Sequence, residues 1–435
     1  MAHDDDLSGA IAERLPEAKR EALAALGALA EDRGVAAYLV GGVVRDLLLG
    51  VSVGDLDVAV EEPAEAFARA AADRLGGAVK AYTRFGTAIL AVRGLGKIDI
   101  ATARSETYER PGALPTVTPD RLAADLARRD FTINAMAVAI MPGRFGHLFD
   151  PHGGRRDLER GVVRVLHDGS FTDDPTRLLR AVRFAARLGF ALDEETERLL
   201  REAAATDCLE TVTGERIANE IVLILGETSP WAPVRTLADW GILESIAAGW
   251  TVPDSTESTF ERIDRIFGED PTAGELEGAE RWIVRFLALV APLEADVRDR
   301  ILDRLKIAGR TRALADASSK LAEVLAPADA DGAGPSDLRR ILDRAAPETL
   351  VLAAAREPGS RIAERIVRYL TELRHVRSGI TGHDVSALGV EEGESIGAVL
   401  DAVLDARLDG TVETREDELA LAARLVRELD ATNKS

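Results

Sequence analysis

Two aspartates one residue apart, shortly after a glycine pair, form the densest concentration of chemistry in this chain. The first stretch is Tyr38-Leu-Val-Gly-Gly-Val-Val-Arg-Asp-Leu-Leu-Leu-Gly50, and Gly54-Asp-Leu-Asp-Val58 follows it. Gly41 and Gly42 stand where an apolar strand runs into a helix. Glycine lets the backbone approach a phosphate closely, and a helix start offers its N–H groups to an anion. Arg45, in the first turn, adds a charge-assisted contact to a triphosphate. No G-x-G-x-x-G is present, so this is not a dinucleotide fingerprint, and a Gly-Gly turn alone also reads as a structural turn. Asp55 and Asp57 raise the stakes. Residues i and i+2 of a strand share a face, which would put two mutually repelling carboxylates side by side. A pair of divalent cations ~3.5–4 Å apart, as in two-metal phosphoryl-transfer sites, resolves that repulsion. Mg2+ is the hard, oxygen-seeking choice and arrives with substrate phosphates. A lone D-x-D can equally be two solvated acids; the glycine turn upstream is what favours metal. A third carboxylate is expected nearby to take the proton of an attacking hydroxyl. Asp99, in Lys97-Ile-Asp-Ile-Ala-Thr102, is the candidate, with an edge-strand acid facing solvent as the alternative.

A second concentration lies downstream. Asp174 precedes Pro175, which suits an N-cap followed by proline at the first helical position. Arg177, Arg180, Arg183 and Arg187 follow at spacings of three, three and four, along one helical face. Leu178, Leu179, Phe184 and Leu188 imply that this helix is packed, so the arginines need anionic or planar partners.

The elements that must carry these residues are legible in outline. An amphipathic helix over Ile11–Asp32 closes at Gly34, and Ala37–Val40 is a short apolar strand. A helix over Val44–Leu49 stops at Gly50. Leu56–Val60 reads as a strand and Glu65–Leu75 as a helix, and strands follow at Ala88–Val92 and Ile98–Ala101. That mixture predicts an α/β or α+β domain. Beyond Gly154 helical periods dominate, broken at Thr251–Ser258, Gly268–Gly278 and Ala326–Ser336 by residues typical of loops. The expected architecture is a mixed head followed by a long helical body.

Composition narrows the function classes. Hydrophobic residues at 46% and charged ones at 30% fit a soluble globular protein, and 435 residues allow roughly two to four domains. No apolar stretch approaches the ~18 residues of a membrane span. The start carries no signal-peptide pattern, and one cysteine, Cys208, fits a reducing compartment. A cytoplasmic protein without membrane contact is expected. Six scattered histidines offer no zinc-site spacing. The formal charge of −21 opposes binding to nucleic acid, but the average hides a reversal. Residues 121–190 hold twelve Arg against eight Asp and Glu, a balance of +4, leaving −25 elsewhere. The acidity fits either a GC-rich genome, which would also explain the scarcity of lysine, or a salt-adapted surface.

Taken together these residues resemble the class II tRNA nucleotidyltransferase and bacterial poly(A) polymerase family, within the DNA polymerase β-like nucleotidyltransferases. The likeness continues in Arg128-Arg-Asp-Phe-Thr-Ile-Asn-Ala135, in Phe149-Asp-Pro-His-Gly-Gly-Arg-Arg-Asp-Leu158 and in the helix Asp173–Phe190. Thr213-Gly-Glu-Arg-Ile217 and, near the end, Thr381-Gly-His-Asp-Val-Ser-Ala-Leu-Gly389 extend it. The resemblance implies an α+β fold: an N-terminal helix over 1–34, a nucleotidyltransferase head over 35–150, and an all-α neck (151–230), body (231–370) and tail (371–435). It implies Asp55 and Asp57 as ligands of Mg2+, with Asp99 beside them. Gly41, Gly42, Arg45 and Arg129 would hold the nucleotide phosphates or sugar, and Arg180 and Arg183 would approach triphosphate or ribose. Asp130 and Asn134 would shape the sugar pocket and brace head against neck. Asp174 and Arg177 would read the incoming base, because cytosine and adenine each set an exocyclic amine beside a ring-nitrogen acceptor. Uracil and guanine would leave the carboxylate without a donor, at ~1–3 kcal/mol for a buried group.

The implied reaction is addition of C and A to the 3′ end of tRNA from CTP and ATP, releasing pyrophosphate. The body and tail would hold the RNA by shape and backbone. A-only or CC-only addition, poly(A) synthesis and a non-catalytic RNA-binding module are the competing readings. Tyr82-Thr-Arg-Phe-Gly-Thr87 looks more like the tRNA enzymes. The long loop Thr107-Tyr-Glu-Arg-Pro-Gly-Ala-Leu-Pro115, an element linked in this family to the terminal adenosine, argues against CC-only addition. Asp173-Asp174 departs from the family's Glu-Asp by one methylene, and His383-Asp384 is expected to be structural.

Overall fold

The computed structural model describes residues 5–83, 85–268, 279–390 and 393–432; Arg84 and residues 269–278, part of a predicted loop, lie outside them. The single N-terminal helix expected over 11–32 is two helices, α1 (Ser8–Arg14) and α2 (Glu17–Arg33). Pro16 divides them. Leu15 is extended, with ψ 135°, as a following proline requires, and Pro16 has no N–H with which to continue a helix.

The chain then alternates β1 (Ala37–Val40), α3 (Gly42–Leu49), β2 (Leu56–Val60), α4 (Ala64–Leu75), β3 (Ala78–Tyr82), β4 (Thr87–Val92) and β5 (Gly96–Thr102). A two-stranded hairpin follows, β6 (Arg104–Thr107) and β7 (Thr116–Pro119), then α5 (Leu122–Ala127), β8 (Ala137–Ala139) and β9 (Leu148–Phe149). Seven of these strands form one mixed sheet in the order β3-β4-β5-β2-β1-β8-β9, with β2 and β5 parallel and the other pairs antiparallel. The parallel pair needs a crossover, which α4, β3 and β4 provide. On one face Val58, Val60, Ile98 and Ile100 are fully buried, and α4 packs along β3, β4 and β5. On the other, Tyr38, Val40 and Ala59 cluster with Leu122 and Leu126 of α5 and with Ala137 and Ala139. Each buried leucine contributes about 1.5–3 kcal/mol, enough to fix α5 over one end of that face and leave the Asp57 end open.

Three sheet strands and the hairpin were not apparent from periodicity. β3 is an exposed edge with no apolar alternation, while β8 and β9 have three and two residues. The rest of this part of the chain comprises α6 (Gly154–Arg160), β10 (Val162–Val163), α7 (Ser170–Asp173), α8 (Thr176–Leu188), β11 (Ala191–Leu192), α9 (Glu194–Ala204) and α10 (Gly214–Gly226), in the segment expected as the neck, followed by α11 (Trp231–Asp239) and α12 (Ile242–Ile246). α8 buries Leu178, Leu179, Ala181 and Val182 and packs on α10 and α11.

Head and neck make one compact unit, Met1–Ile246, and Ala247–Ser435 makes a second. The fold is α+β, with the second unit helical throughout its described residues. Two predicted breaks there are narrower than expected: one helix starts at Thr256, and another runs Leu321–Asp329 with Pro327 in its last turn. Asp384 accepts from the Thr381 N–H (2.8 Å) and hydroxyl (2.9 Å), so His383-Asp384 opens a capped helix, as a structural role predicts. No helix among the described residues is long and apolar enough to cross a membrane.

Candidate active site

A cleft of about 670 Å³ opens on the sheet face left bare by α5, and Gly41, Gly42, Arg45, Asp57, Asp99, Arg129, Asp174, Arg177 and Arg180 all line it. Of the residues singled out from sequence, Asp55 and Arg183 are not in its wall.

The sheet register brings the acids together. Asp57 of β2 and Asp99 of β5 are direct partners in the parallel pair, so their side chains stand on the same face. Asp55 precedes β2 in a bend, half-exposed, so the i, i+2 argument that paired it with Asp57 does not describe its position. Lys97 is what ties it in: its Nζ lies 3.0 Å from Asp55 Oδ2 and 3.4 Å from Asp99 Oδ2. Burial, then the neighbouring Asp99 and Asp55 charges, push the Asp57 carboxyl up to about 6, against the pull of Arg129 and Lys97. Asp99 Oδ1 is buried with no hydrogen-bond partner among the described residues. An unpartnered carboxylate oxygen beside a carboxyl whose ionisation is opposed is a donor set that fits a hard divalent cation such as Mg2+. Among the described residues no three His, Cys, Asp or Glu already form a closed ligand set.

The opposite wall is cationic and rigid. Gly41 has φ 70° and ψ −130°, a conformation that side chains resist, and a Cβ there would lie 2.8 Å from Arg129 Nη1. The backbone conformation thus favours glycine, and a side chain would also displace the Arg129 guanidinium, whereas at Gly42 a Cβ would meet Arg45 only at 3.5 Å. Arg45 is buried and donates to Asn134 Oδ1 (2.8 Å) and Asp46 Oδ1 (2.9 Å). Arg129 donates to Asp125 Oδ2 at 2.8 Å. Asn134 donates to Asp130 Oδ1 (3.0 Å), and Asp130 Oδ2 accepts from Arg180 Nε (2.9 Å). Burial alone would raise the Asp130 carboxyl, but Arg180 and Asn134 outweigh it and hold it below the usual range. Asp130 and Asn134 therefore do clasp the head to α8. Glu220 of α10 accepts from Arg180 (3.0 Å) and from Arg183 Nε (3.2 Å). Arg183 is spent on Glu220 and Glu227 beneath the surface. Phe184 sits among Arg45, Arg180 and Arg183, whose guanidinium carbons lie 5.3, 5.5 and 4.9 Å from its ring centre.

At the start of α8, Asp174 acts as a cap, one residue further out than predicted because the helix begins at Thr176. Its Oδ1 accepts from the Thr176 N–H (3.0 Å) and hydroxyl (2.6 Å) and from Arg216 (2.7 Å), while Oδ2 accepts nothing among the described residues. Arg177 is buried and donates to Ser170 Oγ and the Arg128 carbonyl, each at 2.7 Å. Two residues here escaped the sequence reading. Arg216 belongs to the noted Thr213–Ile217 motif, but only the fold shows that it also donates to the Gly112 carbonyl (3.2 Å) at the tip of the β6–β7 loop. That tip is seated tightly: a Cβ on Gly112 would lie 2.1 Å from Thr211 Oγ1. Tyr108, at the loop's root, lines the cleft and donates to Glu106 Oε2 at 3.0 Å.

The arrangement sets an acidic edge that needs cations against a wall of arginines positioned by internal acids and with N–H groups to spare, and Asp174 Oδ2 is unused among the described residues. A nucleoside triphosphate carrying divalent ions suits all three. Comparison with known proteins agrees with that geometry. The poly A polymerase head domain family matches residues 37–164, and a family described as a probable RNA and SrmB-binding site of polymerase A matches 189–250. An A-adding tRNA nucleotidyltransferase of Halalkalibacterium halodurans is 33% identical over 97% of this chain and 96% of its own length. One of Geobacter sulfurreducens is 37% identical over 94% of this chain but 47% of its own length, so the chain spans about half of that relative. A solved CCA-adding enzyme in an apo form superposes with a TM-score of 0.75 at 32% identity, covering 98% of this chain and 99% of that one.

Proposed function

The chain belongs to the class II tRNA nucleotidyltransferase and bacterial poly(A) polymerase family, and from that premise we propose that it adds one adenosine, from ATP, to tRNA ending in C-C. The observation that carries this reading is the match to an A-adding relative along nearly the full length of both chains. It takes the place of the full C-C-A addition expected from the sequence.

The residues support nucleotidyl transfer as follows. Asp57 and Asp55 hold the divalent ions, with Asp99 completing the edge and accepting the proton of the RNA 3′-hydroxyl. When bound, such ions acidify that hydroxyl and neutralise triphosphate charge. Gly41, Gly42, Arg45 and Arg129 receive the phosphates at the start of α3. Asp174 Oδ2 takes the adenine amine hydrogen and Arg177, with N–H groups to spare, donates to the ring nitrogen. Arg180 and Asp130 keep the neck seated on the head during the step. We place base reading in the neck (151–230) and RNA holding in the body (231–370) and tail (371–435). A tRNA substrate fits the cytoplasm.

A second reading, full C-C-A addition, draws on the superposition with a CCA-adding enzyme, and on the fact that an acid–guanidinium pair accepts cytosine as readily as adenine. The deciding experiment offers labelled ATP and CTP, with Mg2+, to tRNA transcripts ending in C-C, ending before C-C, and to an unrelated RNA. The proposal expects one adenosine on the first and nothing on the others. C-C-A on the second transcript would establish the alternative, long adenosine tails on the third would indicate poly(A) synthesis, and no incorporation at all would overturn catalysis.

A further inference from the structure

We propose that Lys97 is a built-in stand-in for a divalent cation, bridging Asp55 and Asp99 until a metal ion displaces it; this rests on the reading that the acidic edge binds metal. Lys97 and Asp99 are two apart on β5 and so share the face that carries Asp57. The Lys97 ammonium reaches Asp55 Oδ2 and Asp99 Oδ2 together. Among the described residues Lys97 is the side chain that holds Asp55, which stands in a bend, near its fellow acids.

Lysine suits the part. Its ammonium is a compact point charge on a flexible four-carbon stem, and Lys97 is half-exposed, so it can swing out into water. The substitution is also incomplete: among the described residues Asp99 Oδ1 stays without a partner while Lys97 occupies Oδ2. A divalent ion, which takes several oxygen ligands at once, can meet the demand that one ammonium leaves. Metal binding is then a cation exchange. The protein alone holds metal weakly, and ions arriving on a nucleotide complete the displacement.

The test is a titration of Mn2+ into metal-free, full-length protein with neither nucleotide nor RNA, with free Mn2+ followed by its electron paramagnetic resonance signal. Lys97→Met should bind Mn2+ about two- to fivefold more tightly than the wild type, the worth of an exposed ion pair, and the gap should narrow as salt screens the bridge. Lys97→Arg should stay within about twofold of the wild type, since it keeps the charge. Lys80→Met, which removes an exposed positive charge from β3 without touching the bridge, should change nothing. Thermal melts guard against misfolding. Unchanged or weaker Mn2+ binding by Lys97→Met overturns the proposal, as does an equal gain in Lys80→Met, which would mean net charge alone. A wild type that binds no Mn2+ but incorporates adenosine overturns the exchange and spares the function. One that does neither overturns both.

Discussion

On the head sheet, Asp57 and Asp99 lie side by side, with one carboxylate oxygen unpartnered among the described residues and one carboxyl pushed up to about 6. Across the cleft, the charges of the neck are answered from within: Arg180 by Asp130 and Glu220, Arg183 by Glu220 and Glu227. The two walls differ in who pairs their ionisable groups. Where the chain supplies the partner, the group is scaffold and its position is set before substrate arrives. Where it does not, the position is kept strained for a ligand to relieve. Removing an acid should therefore have opposite consequences for stability on the two sides.

The largest effect belongs to the sheet. Asp57→Asn should lower adenosine incorporation roughly 10³-fold or more, the scale of losing a charge-stabilising group at a reacting centre. The same variant should be more stable than the wild type when metal is chelated. The folded-state value near 6, against an ordinary 3.8, means that the folded protein binds more protons between those limits. Stability falls as pH rises through that window and stays reduced above it, by about 3 kcal/mol. Thermal unfolding in chelator from pH 4.5 to 8 should show this loss in the wild type and lack it in Asp57→Asn; identical profiles would mean that the acid edge is already neutralised.

In the neck the sign reverses. Glu220 is buried between two arginines, and Glu220→Ala should destabilise by about 3–5 kcal/mol, the penalty for orphaning buried charge. Urea denaturation measures it. A variant as stable as the wild type would show that the arginines find water, and the contrast between the walls would collapse. Between these extremes lies Gly41→Ala. The left-handed backbone and the contact with Arg129 should together cost about 1–3 kcal/mol, and displacement of Arg129 should raise the KM for ATP.

How much of this the sequence discloses follows the same division. Gly41, Asp57, Asp99 and the α8 arginines were legible, because local spacing and residue chemistry suffice to mark them. The strand-tip geometry was legible only in part. Asp55 was placed beside Asp57 by strand alternation; it stands in a bend just before β2, its charge is felt at Asp57, and Lys97 links it to Asp99, the register partner of Asp57 forty-two residues on. Register between distant strands is a tertiary property. So is the fate of Arg183, whose helical spacing matches that of Arg180 and whose burial against α10 no local pattern announces. The helix predicted across Pro16 failed for a local reason, the proline itself, which the apolar period outweighed.

The smallest predicted effect tests whether the paired-charge principle reaches Asp174, the residue proposed to read the base. Asp174 Oδ1 carries three donors, two from Thr176 and one from Arg216, and these leave Oδ2 to face the cleft. Arg216→Ala removes one donor while the cap through Thr176 survives, so the melting temperature should barely move. The carboxylate should lose part of its fixed aim, and selectivity for ATP over GTP in kcat/KM should fall about fivefold, the worth of roughly 1 kcal/mol of one hydrogen bond. Since Arg216 also holds the Gly112 carbonyl, a loosened loop could produce the same drop. Gly112→Ala separates the two, because it disturbs the tip against Thr211 without touching Asp174. A drop in both variants would assign selectivity to the loop. A drop in Arg216→Ala alone assigns it to the aim of the carboxylate, and no drop in either means that Thr176 suffices and the preset charges end at Asp130 and Glu220.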